Sequence, residues 1–386
     1  MPTMIVIGHR DGLDQALQRR DLEPFYIVQP PVNTPEGRRF KRVADMENAQ
    51  EILRAALSAH IDDAAGVLTV HEMGVFGAAY LRQQLNLPGN TDSKANLYFR
   101  DKYLQKSKLP PQVKRARCRY LSKDTSFTEL SDDLGATFVI KPATGAGALR
   151  TNIIRSPEEY SRALKLFPGQ SDVEIVAESF IDGSEVYIDG IWKNGDLRWS
   201  SMSRNHISPL NAVQGGVLAA HILDRRRHST LFHQAEKLAR QALASLNPPD
   251  CVFHLEAFTQ ESGLTFGECA IRLPGALSPQ INKLTFGVDL FDVEISLALG
   301  EEVTETLDSS APDRFYGYIL LRRPRGGNLT QKDFERNFLF DEIQYSPDAP
   351  AGPYGRVGQA IVSDQDELKL QQTMEEIVRF NEAGGI

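Results

Sequence analysis

The stretch Cys251–Gly275, CVFHLEAFTQESGLTFGECAIRLPG, decides the fold of this chain. Two runs of alternating apolar and polar residues flank a polar turn at 260–263, and this pattern predicts a β-hairpin. Successive side chains of a strand point to opposite faces, so antiparallel pairing brings Glu256 and Glu268 roughly opposite each other on one surface. Two carboxylates and a nearby arginine, Arg272, therefore share one face of the hairpin.

Two carboxylates this close repel each other unless a cation lies between them. Mg²⁺ is the natural candidate, since it is a hard cation that binds carboxylate oxygens together with substrate phosphates. The pattern is equally compatible with an ordinary amphipathic hairpin that has a solvated polar face. The rest of the chain has to decide between a metal site and this simpler interpretation.

Length and composition set the protein class. The chain has 386 residues and a mass of 43.0 kDa, so two or three packed domains are expected. Its 41% hydrophobic and 24% charged residues are typical of a soluble globular protein. The 51 acidic and 43 basic residues give a net charge of −8, which argues against binding to nucleic acid or to an anionic membrane.

Cysteine usage and hydropathy indicate the compartment. The three cysteines, Cys118, Cys251 and Cys269, show no CxxC spacing, so a reducing cytoplasm is expected rather than a disulfide framework or a zinc site. Cys269 alternates with the acidic face and is predicted to be a buried thiol. No apolar run approaches the roughly 20 residues of a membrane span, and the first residues lack the pattern of a signal peptide.

Residues 1–93 alternate strand and helix patterns, which predicts a small parallel sheet with helices on both sides. The predicted strands are Met4–Gly8, Phe25–Gln29 and Gly66–Val70, and the clearest helix is Asn48–His60. Ligands bind at the carboxyl ends of the strands in such sheets. The segment 8–12, GHRDG, ends the first strand and could meet an anionic ligand or form a plain turn.

Residues 138–154 read as strand, glycine loop and strand. This is not a Walker loop, and Arg150 stands where a dinucleotide fingerprint needs its third glycine. Gly145 and Gly147 could instead place backbone N–H groups over phosphates, with Lys141 supplying a positive charge. The alternative is a flexible hairpin loop with an incidental lysine.

Other segments complete the outline. Glu178 and Glu185 lie on either side of a turn and could accept hydrogen bonds from an exocyclic amine or from ribose hydroxyls. Asn194-Gly195 predicts a tight hairpin turn. A further helix is predicted to carry Lys94, Arg100, Asp101 and Lys102, and a polar loop is predicted over 204–216. Helices are also predicted at Ser229–Leu246, with Ser229 as N-cap, and at Val288–Leu299. A strand at Arg314–Arg325 and a final helix from near Ser363 complete the prediction.

Taken in order, these motifs resemble the ATP-grasp superfamily, specifically its carboxylate–amine ligase branch, over essentially the whole chain. The motifs are Asp101-Lys102, Val139-Ile-Lys141-Pro with its glycine loop, Glu178-x-x-Ile-x-Gly-x-Glu185, His254-x-Glu256 with Glu268, and Arg272-x-x-Gly275. The resemblance implies a mixed α/β and α+β fold that encloses ATP between two lobes. The implied domains are an N-terminal α/β domain (1–93), a small central lobe (94–187) and a large C-terminal lobe (188–386).

The resemblance also implies roles for individual residues. Phosphates would be bound by Lys102, Lys141, Thr144, Gly145 and Gly147, adenine by Glu178 and Phe180, and ribose by Glu185. Glu256 and Glu268 would hold one or two Mg²⁺ ions, with Mn²⁺ as an alternative. Arg272 and Lys141 would act in catalysis, and the substrate residues would be Arg204, His206, Gln214, Gly215, Gly216, His221 and Arg272.

The implied reaction joins a small-molecule carboxylate, such as an amino acid or a peptide-like acid, to an amine with conversion of ATP to ADP and phosphate. His206, His221 or His254 could assist deprotonation of the amine. Arg322, Arg323 and Arg325 could bind substrate carboxylates or form a solvated basic edge. A cytoplasmic homodimer is the expected assembly.

One departure from the resemblance leaves the metal stoichiometry open. The branch usually has Glu-x-Asn-x-Arg, whereas this chain has Ala270 in the middle position, and alanine cannot ligate a metal. Two alternatives to an amide-forming ligase remain at this stage. A carboxylate–thiol ligase would use the same first step with a carrier-protein thiol, and a nucleotide-binding protein without turnover would explain the alanine.

Overall fold

The computed structural model describes residues 1–30, 37–61, 63–122, 124–167, 174–303, 307, 312–324, 326 and 328–385. Within these residues the chain builds three β-sheets in order along the sequence, with four, four and eight strands. The mixed α/β and α+β class expected from the sequence is confirmed. None of the described helices is both long and apolar enough to cross a bilayer.

The N-terminal sheet is parallel, with strand order β3-β2-β1-β4. Its elements are β1 (Thr3–Ile7), α1 (Leu13–Arg19), β2 (Glu23–Val28), β3 (Arg39–Arg42), α2 (Ala49–Leu57), β4 (Gly66–Thr69) and α3 (Val75–Leu85). The three predicted strands and the helix are confirmed within two or three residues. β3 was not predicted, because its sequence RFKR has three charged residues and no buried position to produce an apolar pattern at the sheet edge.

Two short helices connect this sheet to the next one, α4 (Ser93–Tyr98) and α5 (Lys102–Lys108). The single helix expected here is wrong, since Asp101 is the N-cap of α5 and its carboxylate accepts a hydrogen bond from the N–H of Leu104 at 2.9 Å. This cap starts α5 at Lys102 and fixes the direction in which Lys102 and Lys106, one turn apart, project.

The middle sheet is antiparallel, with strand order β5-β8-β6-β7. Its elements are β5 (Cys118–Tyr120), α6 (Phe127–Leu134), β6 (Phe138–Pro142), β7 (Asn152–Ile154), α7 (Pro157–Leu164) and β8 (Ile175–Ser179). The helices α6 and α7 cover one face around Phe138 and Tyr160. The predicted strand, glycine loop and strand over 138–154 are therefore confirmed as β6, a loop and β7.

The large sheet has eight strands in the order β13-β12-β9-β10-β11-β14-β16-β15. Its strands are β9 (Ser184–Lys193), β10 (Asp196–Asn205), β11 (Ala219–Ile222), β12 (Cys251–Gln260), β13 (Gly263–Ala270), β14 (Phe315–Ile319), β15 (Glu342–Tyr345) and β16 (Gly358–Asp364). Its helices are α8 (Pro209–Val213), α9 (Ser229–Leu246), α10 (Ser278–Phe286), α11 (Leu290–Leu299), α12 (Gln331–Asn337) and α13 (Glu367–Ala383). Asn194 and Gly195 have φ values of 55° and 73°, as the predicted hairpin turn requires.

The hairpin on which the prediction rests is β12–β13, and its register pairs Glu256 with Glu268 as expected. A bulge follows Glu256. Gly267 allows a close approach there, because a Cβ at this position would lie 2.9 Å from the carbonyl oxygen of Glu256. Cys269 points away from the acidic face and is fully buried.

Several boundaries in this region differ from the prediction. His228, not Ser229, is the N-cap of α9, and the expected loop over 204–216 contains the end of β10 and the helix α8. The last helix begins at Glu367, because Ser363 still belongs to β16. The helix α10 was not predicted, and Arg325 lies outside the described residues.

Contacts between elements hold the three sheets in fixed positions relative to one another. Gln105 of α5 donates a hydrogen bond to the carbonyl oxygen of Cys269 (2.7 Å) and accepts one from its N–H (2.9 Å), which ties α5 to β13. The N-terminal sheet packs against α11 and β12 through a shared apolar cluster. These contacts bring α5 and the N-terminal sheet up to the hairpin β12–β13.

Candidate active site

A cavity of about 390 Å³ lies between the middle sheet and the large sheet. Its floor is the polar face of β12–β13, its roof is β6, the glycine loop and the end of β8, and α5 closes one side. Ten of the predicted site residues line it: Lys102, Lys141, Gly145, Gly147, Glu178, Phe180, Glu185, Glu256, Glu268 and Arg272. The sequence motifs, which are separated by up to 170 residues, therefore converge on one cavity.

Glu178 is the centre of a buried ion-pair group on the roof. Its carboxylate lies 2.9 Å from the ammonium of Lys106 and 3.0 Å from that of Lys141, and its side chain is 8% exposed. Burial alone would raise the pKa of Glu178, but Lys106 and Lys141 hold it down at about 2. Two lysine ammonium groups against one carboxylate leave net positive charge at the roof of the cavity.

Lys102 connects the roof to the floor. Its ammonium donates to the carbonyl oxygen of Gly145 at 2.6 Å and lies 2.9 Å from the carboxylate of Glu268. Its N–H donates to the carbonyl oxygen of Ala143 at 3.0 Å. The helix α5 therefore holds the glycine loop directly above the hairpin.

The glycine loop has the backbone freedom that contact with a ligand requires. Gly147 has a φ of +63°, and Ala148 and Arg150 adopt the same left-handed region. A Cβ at Gly147 would lie 3.4 Å from the hydroxyl of Tyr354, which approaches from the large sheet. Thr144 does not line the cavity, but its carbonyl oxygen accepts a hydrogen bond from Arg100.

The floor of the cavity contains a carboxyl group that resists ionisation and an imidazole that keeps its proton. Burial and the charge of Glu256 raise the pKa of Glu185 to about 8. His254 Nδ1 donates a hydrogen bond to the buried carboxylate of Asp189 at 2.7 Å, and His254 Nε2 lies 3.6 Å from Glu256. Against the effect of burial, its hydrogen bonds to Asp189 and Glu256 raise the pKa of His254 to about 9, so this imidazole is protonated near neutral pH.

The residues of the floor fit a divalent cation. In the described part of the chain no three His, Cys, Asp or Glu side chains are grouped as metal ligands. Glu256 and Glu268 are nevertheless paired across the hairpin on the cavity surface, and Glu185 resists ionisation beside them. Two carboxylates that need substrate phosphates and water to complete a coordination shell are the usual protein share of a Mg²⁺ site.

Ala270 lies on the same floor, directly across the ladder from His254, and is 5% exposed. It lines the cavity but offers no ligand atom. The histidine beside it is held by Asp189. Position 270, where the resemblance implies asparagine, therefore has an imidazole as its neighbour across the strands.

The N-terminal domain contributes an acid that the sequence analysis missed. Glu72 follows β4 and accepts hydrogen bonds from Arg272 at 2.9 and 3.3 Å, while Arg100 lies 2.8 Å from its other oxygen. Although burial acts in the opposite direction, Arg272 and Arg100 lower the pKa of Glu72 to about 2. Its place at the carboxyl end of a parallel strand is the signal that could have identified it.

Lys106 and Tyr354 were also missed. Lys106 lies four residues after Lys102, a spacing that puts both side chains on one face of α5, so helix periodicity could have found it. Tyr354 comes from the segment between β15 and β16, and nothing in its local sequence connects it to the cavity.

The substrate residues expected in 204–221 do not line this cavity. Its wall there is the start of α8, at Ser208, Pro209, Leu210 and Asn211. Gly215 and Gly216 instead border a separate cavity with Arg322 and Arg323, which donate to backbone carbonyls. Gln214 is the C-cap of α8, and Arg204 lies in β10.

His206 and His221 belong to a buried network rather than to the cavity surface. His206 Nε2 lies 2.9 Å from His221 Nδ1, and His221 lies 3.6 Å from the carboxylate of Glu367. The same carboxylate lies 2.9 Å from His228 Nε2 and accepts a hydrogen bond from the N–H of Asp224 at 3.1 Å. Burial, then His221 and Arg204, lower the pKa of His206 to about 3. His254 is thus the one of the three proposed bases that reaches the cavity.

We expect Glu367→Gln to lower the free energy of unfolding by about 3 kcal/mol at neutral pH, since it removes one partner of a buried charged network. Burial opposes ionisation, but hydrogen bonds from His221, the Asp224 N–H and His228 lower the pKa of Glu367 to about 2. The advantage of the wild type is therefore present above about pH 4.5 and is lost as the pH falls towards 2. Urea unfolding at several pH values measures it.

Glu376→Gln, an exposed change on the same helix, is the control for that experiment. An equal loss in both variants, or a loss for Glu367→Gln that does not shrink in acid, would contradict the assignment.

Comparisons with known proteins agree on the fold. No protein-family model matches the chain. The L-arginine-specific L-amino acid ligase of Bacillus subtilis is 23% identical over 249 residues, which is 63% of this chain and 59% of that protein. The matched region thus spans about three-fifths of the curated relative's length.

Solved structures resemble the chain along nearly its whole length. The L-amino acid ligase from Bacillus licheniformis has a TM-score of 0.76 at 16% identity, with 99% of this chain and 98% of that chain covered. A carboxyaminoimidazole ribonucleotide synthase from Aspergillus clavatus, complexed with ATP, has a TM-score of 0.77 at 14% identity, with coverage of 98% and 99%. The resemblance seen in the sequence is confirmed at the level of the fold, and this chain has the ATP-grasp fold.

Proposed function

We propose that this protein is an ATP-dependent carboxylate–amine ligase that forms an amide or peptide bond and releases ADP and phosphate. The observation that carries the proposal is the convergence of Lys102, Lys141 and Arg272 with the paired Glu256 and Glu268 on one cavity of an ATP-grasp fold. Phosphoryl transfer depends on positioning and on neutralising charge, and these side chains supply both.

ATP is the proposed nucleotide. The Aspergillus clavatus synthase, which shares this fold, was solved with ATP bound. We assign the phosphates to Lys102, Lys141 and the glycine loop, and the base and ribose to Glu178, Phe180 and Glu185. Phe180 is 40% exposed at the cavity wall, which leaves its ring free to pack against an adenine.

Glu256 and Glu268 would hold Mg²⁺, or Mn²⁺, against the phosphates. When bound, the ion neutralises the charge that develops on the transferred phosphoryl group. The ammonium of Lys102 lies 2.9 Å from the carboxylate of Glu268, so it would face the same phosphates as an ion held by that carboxylate. We propose a single ion on these two carboxylates, because Ala270 adds no ligand.

The chemistry runs in two steps. In the first step a carboxylate oxygen of the acid attacks the γ-phosphorus, and the bond from this phosphorus to the oxygen that bridges to the β-phosphate breaks. The products of this step are ADP and an acyl phosphate. The amine nitrogen then attacks the acyl carbon, loses a proton, and phosphate departs with the carboxylate oxygen. Arg272 would bind the carboxylate and the transferred phosphoryl group, since a planar guanidinium can donate to two oxygens at once.

The substrates we propose are an amino acid or a small peptide-like acid and an amine. The support is the name of the curated relative, an L-arginine-specific L-amino acid ligase, together with a cavity of a size suited to a nucleotide and small molecules. The domain boundaries at 93/94 and 187/188, a homodimer and a cytoplasmic location remain part of the proposal.

Product analysis tests this function. With ATP, Mg²⁺ and pairs of the twenty common L-amino acids, we expect ADP and phosphate in equal amounts to the dipeptide, and a hydroxamate when hydroxylamine replaces the amine. AMP and pyrophosphate as products would contradict the proposal. A product that forms only with a carrier-protein thiol would instead identify a carboxylate–thiol ligase, and ATP binding without any product would identify a non-catalytic nucleotide-binding protein.

A further inference from the structure

Glu72 lies where the N-terminal sheet reaches the cavity between the other two sheets. It follows β4 and lines the cavity, although the residue is only 6% exposed. The turn that carries it is tightly packed, because Thr69 Oγ1 donates to the carbonyl oxygen of His71 at 2.7 Å. A Cβ on Gly74 would lie 2.7 Å from Cγ2 of Ile7 in β1. The carboxylate therefore projects from a backbone that has little room to move.

Glu72 holds one edge of the Arg272 guanidinium. Its Oε2 accepts hydrogen bonds from Nε at 3.3 Å and from Nη2 at 2.9 Å, while Nη1 donates to the carbonyl oxygen of Leu273 at 2.7 Å. These bonds fix the plane of the guanidinium, because rotation of the side chain would lengthen at least one of them. Within the described residues the second N–H of each Nη makes no hydrogen bond, so these two groups can donate to a ligand in the cavity.

Arg100 pairs with the other oxygen of Glu72. Its Nη1 lies 2.8 Å from Glu72 Oε1, and its side chain is 1% exposed. Its Nη2 donates to Oε1 of Glu47 at 2.7 Å and to the carbonyl oxygen of Thr144 at 2.5 Å. Since Thr144 is at the start of the glycine loop, Arg100 connects Glu72 to this loop.

The residues next to Arg100 also hold the start of the glycine loop. The N–H of Lys102 donates to the carbonyl oxygen of Ala143 at 3.0 Å, and its ammonium donates to that of Gly145 at 2.6 Å. With the bond from Arg100 to Thr144, three consecutive carbonyl groups of the loop are bound by this segment. A continuous set of contacts, which we call the arginine bridge, therefore joins the glycine loop, Arg100, Glu72 and Arg272.

The proposed reaction needs a fixed spacing between the two ends of the arginine bridge. The glycine loop is assigned to the phosphates and Arg272 to the reacting carboxylate, so the attacking oxygen meets the γ-phosphorus only when the loop and the guanidinium are correctly placed. A misplacement of about 1 Å can cost about 100-fold in rate. Both oxygens of Glu72 are occupied by guanidinium groups, so this acid acts on the reaction through its partners rather than by touching the substrate.

We propose that Glu72 is a positioning residue, which orients the Arg272 guanidinium and, through Arg100, keeps it at a fixed distance from the glycine loop. This inference rests on the proposed function. The N-terminal domain would then contribute to catalysis without touching the reacting atoms, because it supplies the carboxylate on which both arginines are aligned. A purely structural role of Glu72 in closing the domain interface would instead predict lower stability without a specific loss of turnover.

Glu72→Gln keeps the shape of the side chain but removes the charge that both arginines share. In steady-state kinetics we expect kcat to fall about 10- to 100-fold while the KM for ATP stays within about threefold. Arg100→Met should lower kcat by a similar factor. The matched control is Arg19→Met, which removes the ion pairs of α1 with Asp289 and Asp292, away from the cavity, and should keep kcat within about twofold of the wild type.

Combined variants separate positioning from general stabilisation. Because lysine has no fork for Glu72 to orient, Glu72→Gln should cost less than about threefold when it is added to Arg272→Lys, and Arg100→Met should cost equally little when added to Glu72→Gln. A full additional loss in either combination, or a kcat of Glu72→Gln within about twofold of the wild type, would overturn the positioning role, while ADP formation by the wild type keeps the ligase function intact. Absence of ADP formation by the wild type with every amino-acid pair would overturn the ligase function and this inference with it.

The double variant Glu72→Gln, Arg100→Met keeps the proposal testable if Glu72→Gln alone does not fold. The single change leaves buried guanidinium groups with one carboxylate fewer, whereas the double change removes one acid and one base together. The melting temperature shows whether the double variant is folded, and it then replaces Glu72→Gln in the combination with Arg272→Lys. We expect its kcat to be about 10- to 100-fold below that of the wild type. A folded double variant with a wild-type kcat would contradict the assignment.

Discussion

Arg272→Lys should lower kcat/KM by about 10²- to 10³-fold, although the positive charge is kept. Arg272 uses its planar head for several contacts, with Nε and Nη2 on Glu72 and Nη1 on the carbonyl oxygen of Leu273. An ammonium group cannot reproduce this planar fork, in which two parallel N–H groups donate to the two oxygens of a carboxylate or phosphoryl group. Steady-state kinetics with ATP and the best acid–amine pair measure the loss.

Arg119→Lys is the matched control, because Arg119 is a more exposed arginine that pairs with Glu129 on the middle sheet. The melting temperature of both variants should stay close to that of the wild type. Turnover of Arg272→Lys near the wild-type rate would show that Arg272 is only a structural partner of Glu72.

Glu268→Gln should lower activity at least about 100-fold with the fold intact. A bound metal ion contributes several kcal/mol of charge stabilisation, and about 1.4 kcal/mol corresponds to a factor of ten in rate. The amide keeps the shape of Glu268 but removes the charge that faces Lys102 and, in our proposal, Mg²⁺. Activity is measured over a range of Mg²⁺ concentrations, and metal binding to the protein with ADP is measured by calorimetry.

The Mg²⁺ dependence separates two roles of this carboxylate. If Glu268 is a metal ligand, calorimetry shows weaker Mg²⁺ binding and high Mg²⁺ restores part of the activity. If Glu268 only positions Lys102, the Mg²⁺ affinity is unchanged and added metal restores nothing. Glu261→Gln, at the exposed turn of the same hairpin, should behave as the wild type in both measurements.

The hairpin and the glycine loop could be predicted because their conformations depend mainly on residues close together in the sequence. Alternation of side chains fixes which residues share a face, and the short turn sets the register from Gln260 back to Ala257. The bulge after Glu256 shifts that register by one residue, and this shift places Glu256 opposite Glu268. The parallel N-terminal sheet was predictable for the same reason, since its buried strands are short apolar runs separated by helices. Glycine and asparagine with positive φ mark turns that their residue types favour.

The missed features depend on contacts between distant segments. Glu72 becomes part of the site because Arg272, 200 residues later, folds back onto it. His206 and His221 appeared suitable for a substrate site in the sequence, but the packing of β11 against α13 buries His221 with Glu367, and the half-buried His206 contacts His221. Predicted helix bounds were wrong where a residue inside the predicted helix is an N-cap. Asp101 is the N-cap of α5 and separates this helix from α4.

Transfer of oxygen from the acid to phosphate tests the central claim most directly. The acid substrate is labelled with ¹⁸O in its carboxylate and incubated with the protein, ATP, Mg²⁺ and the amine, and the products are analysed by mass spectrometry. A ligase that forms an acyl phosphate at this cavity must place one ¹⁸O atom in each phosphate released and none in ADP. Phosphate without ¹⁸O, or label recovered in AMP, would contradict the account.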